Sequence, residues 1–371
     1  MNKLDIEITE RCNNNCIHCH VNLPAADPVA RKRELSTDDL KNILKEAVSL
    51  GCLTVRFTGG EPFLREDFAE LYVFSRKLGL RVLICTNATL ITERLANLFS
   101  QIPPLEEIEI TVYGMRGSSY ETITHNPGSF QAAWQGINLL LKYKIPFGVK
   151  QALLPPNRNE MEEFENWAAT IPWMHKPPQY SIFYQLRRDR DKRKNARIRK
   201  CRVSAQEGLR ILTRRKDAYI KEMREFCSKF IRPRGNILFS CGAGAGSVCV
   251  DAYGFLKPCM MLGPKDCIYD LRKGSLTDAL ENFFPKLRQI KAKDIDYLSR
   301  CARCFLKGLC QQCPAKSWSE HGRLDKPVAY YCEIAHAQAV YLGLIQKDEK
   351  AWEVKGWQER VSKFMRAKFR R

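Results

Sequence analysis

Apolar and polar residues alternate with a period of two in three stretches of the N-terminal half. Leu4, Ile6 and Ile8 alternate with Asp5, Glu7 and Thr9; Leu53, Val55 and Phe57 with Thr54, Arg56 and Thr58; Ile108 and Ile110 with Glu107, Glu109 and Thr111. Such alternation predicts strands with one apolar and one polar face. Three more strands are predicted over residues 81–86, 147–153 and 179–186. Helices are predicted between them. Ser36 reads as an N-cap ahead of Asp38 and Asp39, opening a helix that ends near Gly51. The others span 67–78, 92–99, 129–143 and 160–169.

Strands and helices taken in turn imply right-handed crossovers and a parallel sheet. Parallel strands buried on both faces read as nearly continuous apolar runs, and these do not. A curved sheet with helices outside and a polar, ligand-filled hollow inside accounts for the polar face. An ordinary one-sided antiparallel sheet shares the alternation but not the intervening helices. The expected class is α/β, a partial (β/α)6 barrel over residues 1–186. Residues 187–235 read as a basic, mostly helical bridge and 236–335 as a small cysteine-rich domain. Residues 336–371 read as a helical segment, with Val354, Trp357, Val361 and Phe364 on one packing face.

The 371 residues are 44% hydrophobic and 27% charged, a balance that supports a buried core. No run of eighteen apolar residues and no signal peptide is seen, so no membrane span and a cytoplasmic location are expected. The formal net charge of +20 is uneven. Arg187, Arg188, Arg190, Lys192, Arg193, Lys194, Arg197, Arg199 and Lys200 crowd the bridge, and residues 360–371 are basic too. This is either a solvated surface or a match for an acidic peptide, a carboxylate-rich small molecule or RNA.

Of the 16 cysteines, eleven fall in three groups, at 12–19, 241–259 and 301–332. Clustered cysteines in a long chain without an export signal point to metal and a reducing compartment. Cys12, Cys16 and Cys19 follow directly on the first strand. Three thiolates on one loop can hold three irons of a cubane cluster and leave the fourth open. A zinc site would need a fourth ligand, which His18 or His20 could supply.

Cys12-x3-Cys16-x2-Cys19 after the first strand, with Gly59-Gly60-Glu61-Pro62 after the second, resembles the radical SAM superfamily over about residues 4–186. The resemblance implies that Cys12, Cys16 and Cys19 are catalytic, holding a [4Fe–4S] cluster whose open iron binds S-adenosylmethionine. Reductive cleavage would then give a 5′-deoxyadenosyl radical that abstracts hydrogen from a substrate. It further implies that His18 packs near adenine, and that Gly59, Gly60, Glu61 and Pro62 approach the methionyl amine. Thr86, Asn87 and Thr111 match places that contact methionine or ribose; as plain strand-end residues they would instead satisfy backbone groups. All lie at strand C-termini, where α/β-barrel sites are built.

The later cysteines resemble the SPASM extension of some radical SAM proteins. Gly254-x4-Cys259 fits its pattern; the Cys310–Cys313 spacing is one residue shorter than usual. The resemblance implies two auxiliary [4Fe–4S] clusters relaying electrons, one on Cys241, Cys259 and Cys313 with Cys249 as fourth ligand, the other on Cys301, Cys304, Cys310 and Cys332. Soft thiolates at these spacings also suit zinc. Cys52 and Cys85 read as small buried residues, and Cys201, Cys227 or Cys267 could donate a hydrogen atom to a substrate radical. Arg56 and Lys150 fall in core strands, and Arg56, on the polar face, reads as a partner for a substrate or S-adenosylmethionine carboxylate or as an offset to Asp5, Glu7 and Glu109.

Modification of a peptide or protein, such as thioether formation, epimerisation or cross-linking, is the first functional expectation. A ferredoxin or flavodoxin would supply electrons, and a separate carrier protein would present a peptide. The second is cofactor maturation acting on a small molecule, such as oxidative decarboxylation of haem-precursor propionates. The third is a non-enzymatic, zinc-stabilised RNA-binding protein.

Overall fold

Nine strands form one sheet in a computed structural model that describes residues 1–366. The last five residues of the basic tail, 367–371, lie outside the described residues. Six strands run parallel and side by side in chain order: β1 (Lys3–Thr9), β2 (Thr54–Gly59), β3 (Arg81–Thr86), β4 (Leu105–Val112), β5 (Phe147–Ala152) and β6 (Gln179–Ser181). With the helices between them they make the partial (β/α)6 barrel that the alternation predicts. The sixth strand is shorter than expected. Beyond Ser181 the chain leaves the sheet, and Tyr184 turns its hydroxyl onto the carbonyls of Leu153 and Ser181 (3.0 and 2.7 Å).

The other edge of the sheet is built from the cysteine-rich region. β7 (Ser247–Val250) runs parallel to β1, and β8 (Phe255–Lys257) and β9 (Tyr269–Asp270) follow antiparallel. Residues 242–285 therefore belong to the same compact unit as residues 1–187 and 191–202, while 188–190, 203–241 and the chain from 286 onward form a second unit. This differs from the linear division at residue 236, because β7 satisfies its backbone hydrogen bonds between β1 on one side and β8 on the other.

Register explains the two faces. Val55 lies beside Leu4 and Val82, and Phe57 beside Ile6 and Ile84. Phe57 meets the ring of Phe68 at 6.1 Å, so this apolar face is the helix-covered one. The opposite face aligns Asp5 with Arg56, Cys85 with Glu109, and Thr111 with Lys150. Arg56 pairs with Asp5 and Lys150 with Glu109, and the Cys85 thiol donates to Glu109 at 3.4 Å. Cys85 is thus part of a polar interior, not of the apolar core; Cys52 is buried.

The helices of the first unit are α1 (Pro28–Arg33), α2 (Thr37–Ser49), α3 (Phe68–Lys77), α4 (Glu93–Gln101), α5 (Gly117–Thr124), α6 (Ser129–Lys142), α7 (Met161–Ala168) and α8 (Lys192–Cys201). Ser36 caps α2 as expected: its hydroxyl accepts from the Asp39 N–H at 3.1 Å, and the Asp39 carboxylate accepts from the Ser36 N–H at 3.1 Å. The polar sequence of α5 carries no cap bond and no clear period, which is why pattern alone does not find it.

The second unit holds α9 (Ala205–Leu212), α10 (Lys216–Phe230), α11 (Pro314–His321), α12 (Ala329–Tyr341) and α13 (Trp357–Arg366), and all but α11 contribute to an apolar cluster that includes Tyr219, Cys227, Phe305, Leu306 and Ala339. Val354, Trp357, Val361 and Phe364 pack on it as their spacing predicts. Trp357 stacks on Phe305 at 5.3 Å. Among the described residues no helix is long and apolar enough to cross a membrane.

Arg360 of α13 holds the Glu349 carboxylate in a two-pronged pair (2.8 Å for one prong) and brings its pKa down to about 2. An unfolded Glu titrates near ~4.3, so the pair stabilises above that value and its contribution is lost as pH falls through the folded pKa. The stability difference between the parent protein and Glu349→Gln, read from urea midpoints, should narrow between about pH 6 and about pH 3. A constant difference would contradict this.

Candidate active site

The first cysteine loop is tied at its base. Arg11–Cys12 pairs in parallel with Leu23–Pro24. Arg11 is buried and gives Glu34 two hydrogen bonds of 2.8 and 3.0 Å, with a third to the Ala25 carbonyl at 3.1 Å. Breaking a buried pair by removing one charge leaves the other uncompensated and costs about 3 kcal/mol. Glu34→Gln should destabilise the protein by about that amount in anaerobic urea titrations; a loss below ~1 kcal/mol, as for a surface pair, would contradict the assignment.

Asparagines shape the rest of the loop. The Asn15 and Ile17 N–H groups donate to Thr124 and Ile123 at the end of α5 (2.8 and 3.0 Å). Asn22 donates to the Asn14 carbonyl at 3.2 Å, and Asn126 to the Asn14 side chain at 2.9 Å. Three donors face sulfur. The N–H of Asn14 is 3.4 Å from the Cys12 Sγ, the N–H of Asn22 is 3.4 Å from the Cys19 Sγ, and the Asn87 amide is 3.8 Å from the Cys12 Sγ. Such donors favour a thiolate.

Burial and mutual repulsion act the other way. Burial first, then the neighbouring negative groups, push the Cys12 and Cys16 thiols well above their ordinary value. A metal cluster supplies the positive charge that buried, crowded thiolates lack. The Asn14 Nδ2 and the His18 Nδ1 are also buried with no hydrogen-bond partner in the protein. Among the described residues no group of three or more His, Cys, Asp or Glu gathers closely enough to hold a single metal ion.

The expected cofactor contacts surround the loop. Glu61 is fully buried and accepts from the Asn87 N–H and the Thr86 hydroxyl, each at 2.8 Å, and from the Phe63 N–H at 3.3 Å. Burial raises its pKa to about 7. Asn87 also donates to Asn13 at 3.0 Å and accepts from the Thr89 N–H at 2.9 Å. Thr86 and Asn87 therefore bind the β3 end to Glu61 and to the loop. Pro62, buried, starts a 3-10 turn over Pro62–Leu64. Thr111 lies on β4 beside Lys150.

Gly59 and Gly60 have a packing reason that their motif does not reveal. A Cβ on Gly59 would lie 2.0 Å from the Thr9 carbonyl oxygen, and one on Gly60 would lie 2.0 Å from the Arg11 carbonyl oxygen. Gly59 also has φ +130°, a conformation essentially reserved for glycine. His18 sits between the rings of Tyr113 and Tyr184 (5.8 and 5.1 Å between centroids), and burial lowers its pKa to about 4, so the ring is neutral.

Sequence reasoning passed over Asn14, Asn22, Asn126, Tyr113, Tyr184 and the Arg11–Glu34 pair. The asparagine run between Cys12 and Cys16 was a visible signal for the first; the others come from distant parts of the chain and left none.

Four of the later cysteines meet in the second unit. Cys301, Cys304, Cys310 and Cys332 line one pocket, together with Arg234, Arg300, Lys307 and His336. Burial raises Cys301 and Cys304 to about 12. Four half-buried thiols with nearby cationic side chains fit a fully ligated cluster. The other set is divided: Cys241 and Cys313 belong to the second unit, Cys249 and Cys259 to the first. Cys249 is fixed in β7, in register with Asp5 and opposite Lys257, and its thiol donates to the Val250 carbonyl at 3.7 Å. Cys249, expected as the fourth ligand of that cluster, is thus a strand residue of the barrel sheet. Cys201, Cys227 and Cys267 are buried, Cys201 in an apolar cluster with Tyr184, Leu186 and Ile198.

Fold and site together define an α/β-barrel protein with a cluster-binding loop at the C-terminal ends of its strands. Residues 6–170 match the model of the Radical SAM superfamily. That stretch is a Radical SAM domain and the protein is an enzyme, so the non-enzymatic RNA-binding reading falls. An AdoMet-dependent heme synthase of Methanosarcina barkeri is 24% identical over 334 residues, 85% of this chain and 92% of that protein. The solved structure of native anSMEcpe with bound AdoMet matches with a TM-score of 0.63 at 16% identity, over 92% of this chain and 96% of that one. Streptococcus suis SuiB bound to S-adenosylmethionine matches with a TM-score of 0.62 at 16% identity, over 87% of this chain and 73% of that one. At these identities the two structures speak to the fold.

Proposed function

We propose that this radical SAM enzyme oxidises a carboxylate-bearing tetrapyrrole, converting a propionate side chain into a vinyl group. The observation that carries the substrate class is the likeness to an AdoMet-dependent heme synthase, which extends over 85% of this chain and so takes in the cysteine-rich region as well as the barrel. Cys12, Cys16 and Cys19 would hold a [4Fe–4S] cluster, and Cys301, Cys304, Cys310 and Cys332 an auxiliary one. When bound, the first cluster and S-adenosylmethionine supply a carbon radical able to take one hydrogen atom from a substrate.

The chain's own residues hold and shield that chemistry. Asn14, Asn22 and Asn87 direct N–H groups at the cysteine sulfurs. Glu61 fixes the β3 end against the loop through Thr86 and Asn87. His18, Tyr113 and Tyr184 exclude water from its flank. Each propionate loses one hydrogen atom, one carbon dioxide and one electron. The Cys301 pocket would house the acceptor of that electron, and a ferredoxin or flavodoxin would deliver the electron that starts turnover.

The test is anaerobic incubation of the reconstituted enzyme with S-adenosylmethionine, a reductant and either an iron coproporphyrin or small peptides encoded nearby. Loss of a hydrogen atom and carbon dioxide from the porphyrin, matched by 5′-deoxyadenosine, supports the proposal. A modified peptide and an unchanged porphyrin would overturn it in favour of the peptide reading that the SPASM resemblance suggests.

A further inference from the structure

His336 stands one turn after Cys332 on α12, in the lining of the second-unit cysteine pocket. Its Nδ1 is 2.9 Å from the Cys332 carbonyl oxygen and 3.6 Å from the Cys332 Sγ. Its Nε2 accepts from the Ala351 N–H at 3.3 Å. A ring nitrogen that accepts from a backbone N–H carries no hydrogen, so in the neutral ring the hydrogen is on Nδ1, which donates to the Cys332 carbonyl and has the Cys332 Sγ as a second, longer contact. Trp352 meets the imidazole edge to face at 5.5 Å and also lies under the Arg300 guanidinium at 4.8 Å. The Arg300 Nε is buried with no hydrogen-bond partner, and Arg300 lines the same pocket as Cys332. A ring N–H and a guanidinium thus share the lining of the four-cysteine pocket, with Trp352 against both.

We infer that His336 and Arg300 raise the reduction potential of the iron–sulfur cluster held by Cys301, Cys304, Cys310 and Cys332, His336 through its N–H beside the Cys332 sulfur and Arg300 through its positive charge in the pocket lining. This rests on the cluster assignment proposed above. The reduced cluster carries one more negative charge than the oxidised one, part of it on the ligand sulfurs. A donor aimed at such a sulfur stabilises the reduced form more, and the potential rises. A raised potential favours acceptance of an electron from substrate, and makes His336 and Arg300 positioning residues, not catalytic ones.

The test is an EPR-monitored redox titration of the anaerobically reconstituted full chain. The signal that disappears in Cys332→Ala is assigned to this cluster. In His336→Leu its one-electron reduction equilibrium should shift about tenfold toward the oxidised form, a fall of about 59 mV. Arg300→Gln should shift it in the same direction. His336→Asn, which keeps a donor near the Nδ1 position, should restore much of the parent value. Unchanged potentials in both His336→Leu and Arg300→Gln overturn the inference while leaving the cluster in place. If His336→Leu does not load its cluster, Arg300→Gln and His336→Asn decide: a parent-like potential in Arg300→Gln overturns it. If the parent protein shows no signal that depends on Cys332, the cluster assignment falls, and the inference with it.

Discussion

Replacing Cys16 with alanine is expected to abolish 5′-deoxyadenosine formation, at least about a thousandfold or ~4 kcal/mol of lost transition-state stabilisation. The protein should still fold. The loop is pinned independently of that thiol, through the Asn15 and Ile17 N–H groups, the Arg11–Cys12 ladder and the Arg11–Glu34 pair. Two thiolates cannot retain a cubane in a site this crowded with negative charge, so iron content should drop by one cluster while the second-unit signals persist. Activity above a few per cent of the parent, with the iron complement intact, would show that Cys16 is not a ligand.

The largest effect on folding is expected at Gly60. A methyl group there would lie 2.0 Å from the Arg11 carbonyl oxygen and 2.7 Å from that of Glu10. Both clashes are with backbone, which cannot swing aside as a side chain can. Gly60→Ala must push the end of β1 away from the end of β2 and carry Cys12 with it. Overpacking of this kind costs about 3 kcal/mol, and the cluster loop should lose its S-adenosylmethionine affinity as well. Gly246→Ala is the matched control, because nothing lies within 4 Å of its Cβ position. The measurements are urea midpoints and S-adenosylmethionine binding of both variants. A Gly60→Ala protein as stable as Gly246→Ala would mean that the two strand ends are not in contact.

What the sequence made legible was local and periodic. The alternation in β1, β2 and β4 announced the polar barrel interior, and Ser36 announced the start of α2. The cysteine spacings set out three groups as candidate metal ligands. What it hid depends on residues far apart in the chain. Arg11 finds Glu34, and Asn14 finds Asn126, and no short-range pattern marks either pair. Cys249 reads from the resemblance as the fourth ligand of an auxiliary cluster, and only its register with Asp5 shows that it lies in the barrel sheet. That pairing across more than two hundred residues also moved the domain boundary. The glycine pair was visible as a motif, but its reason, the approach of the Thr9 and Arg11 carbonyls, appears only in three dimensions. Segment 179–186 read as one strand, and tertiary contacts of Tyr184 and Leu186 ended it after three residues.

The central claim is that Cys12, Cys16 and Cys19 hold a cluster with one iron left open for S-adenosylmethionine. The most direct measurement is the EPR spectrum of the reduced first cluster, in a variant with Cys301, Cys304, Cys310 and Cys332 changed to alanine, before and after adding S-adenosylmethionine. A cluster signal that changes on addition is the predicted result. A signal that stays the same, or an iron-free protein carrying zinc on that loop, would contradict it.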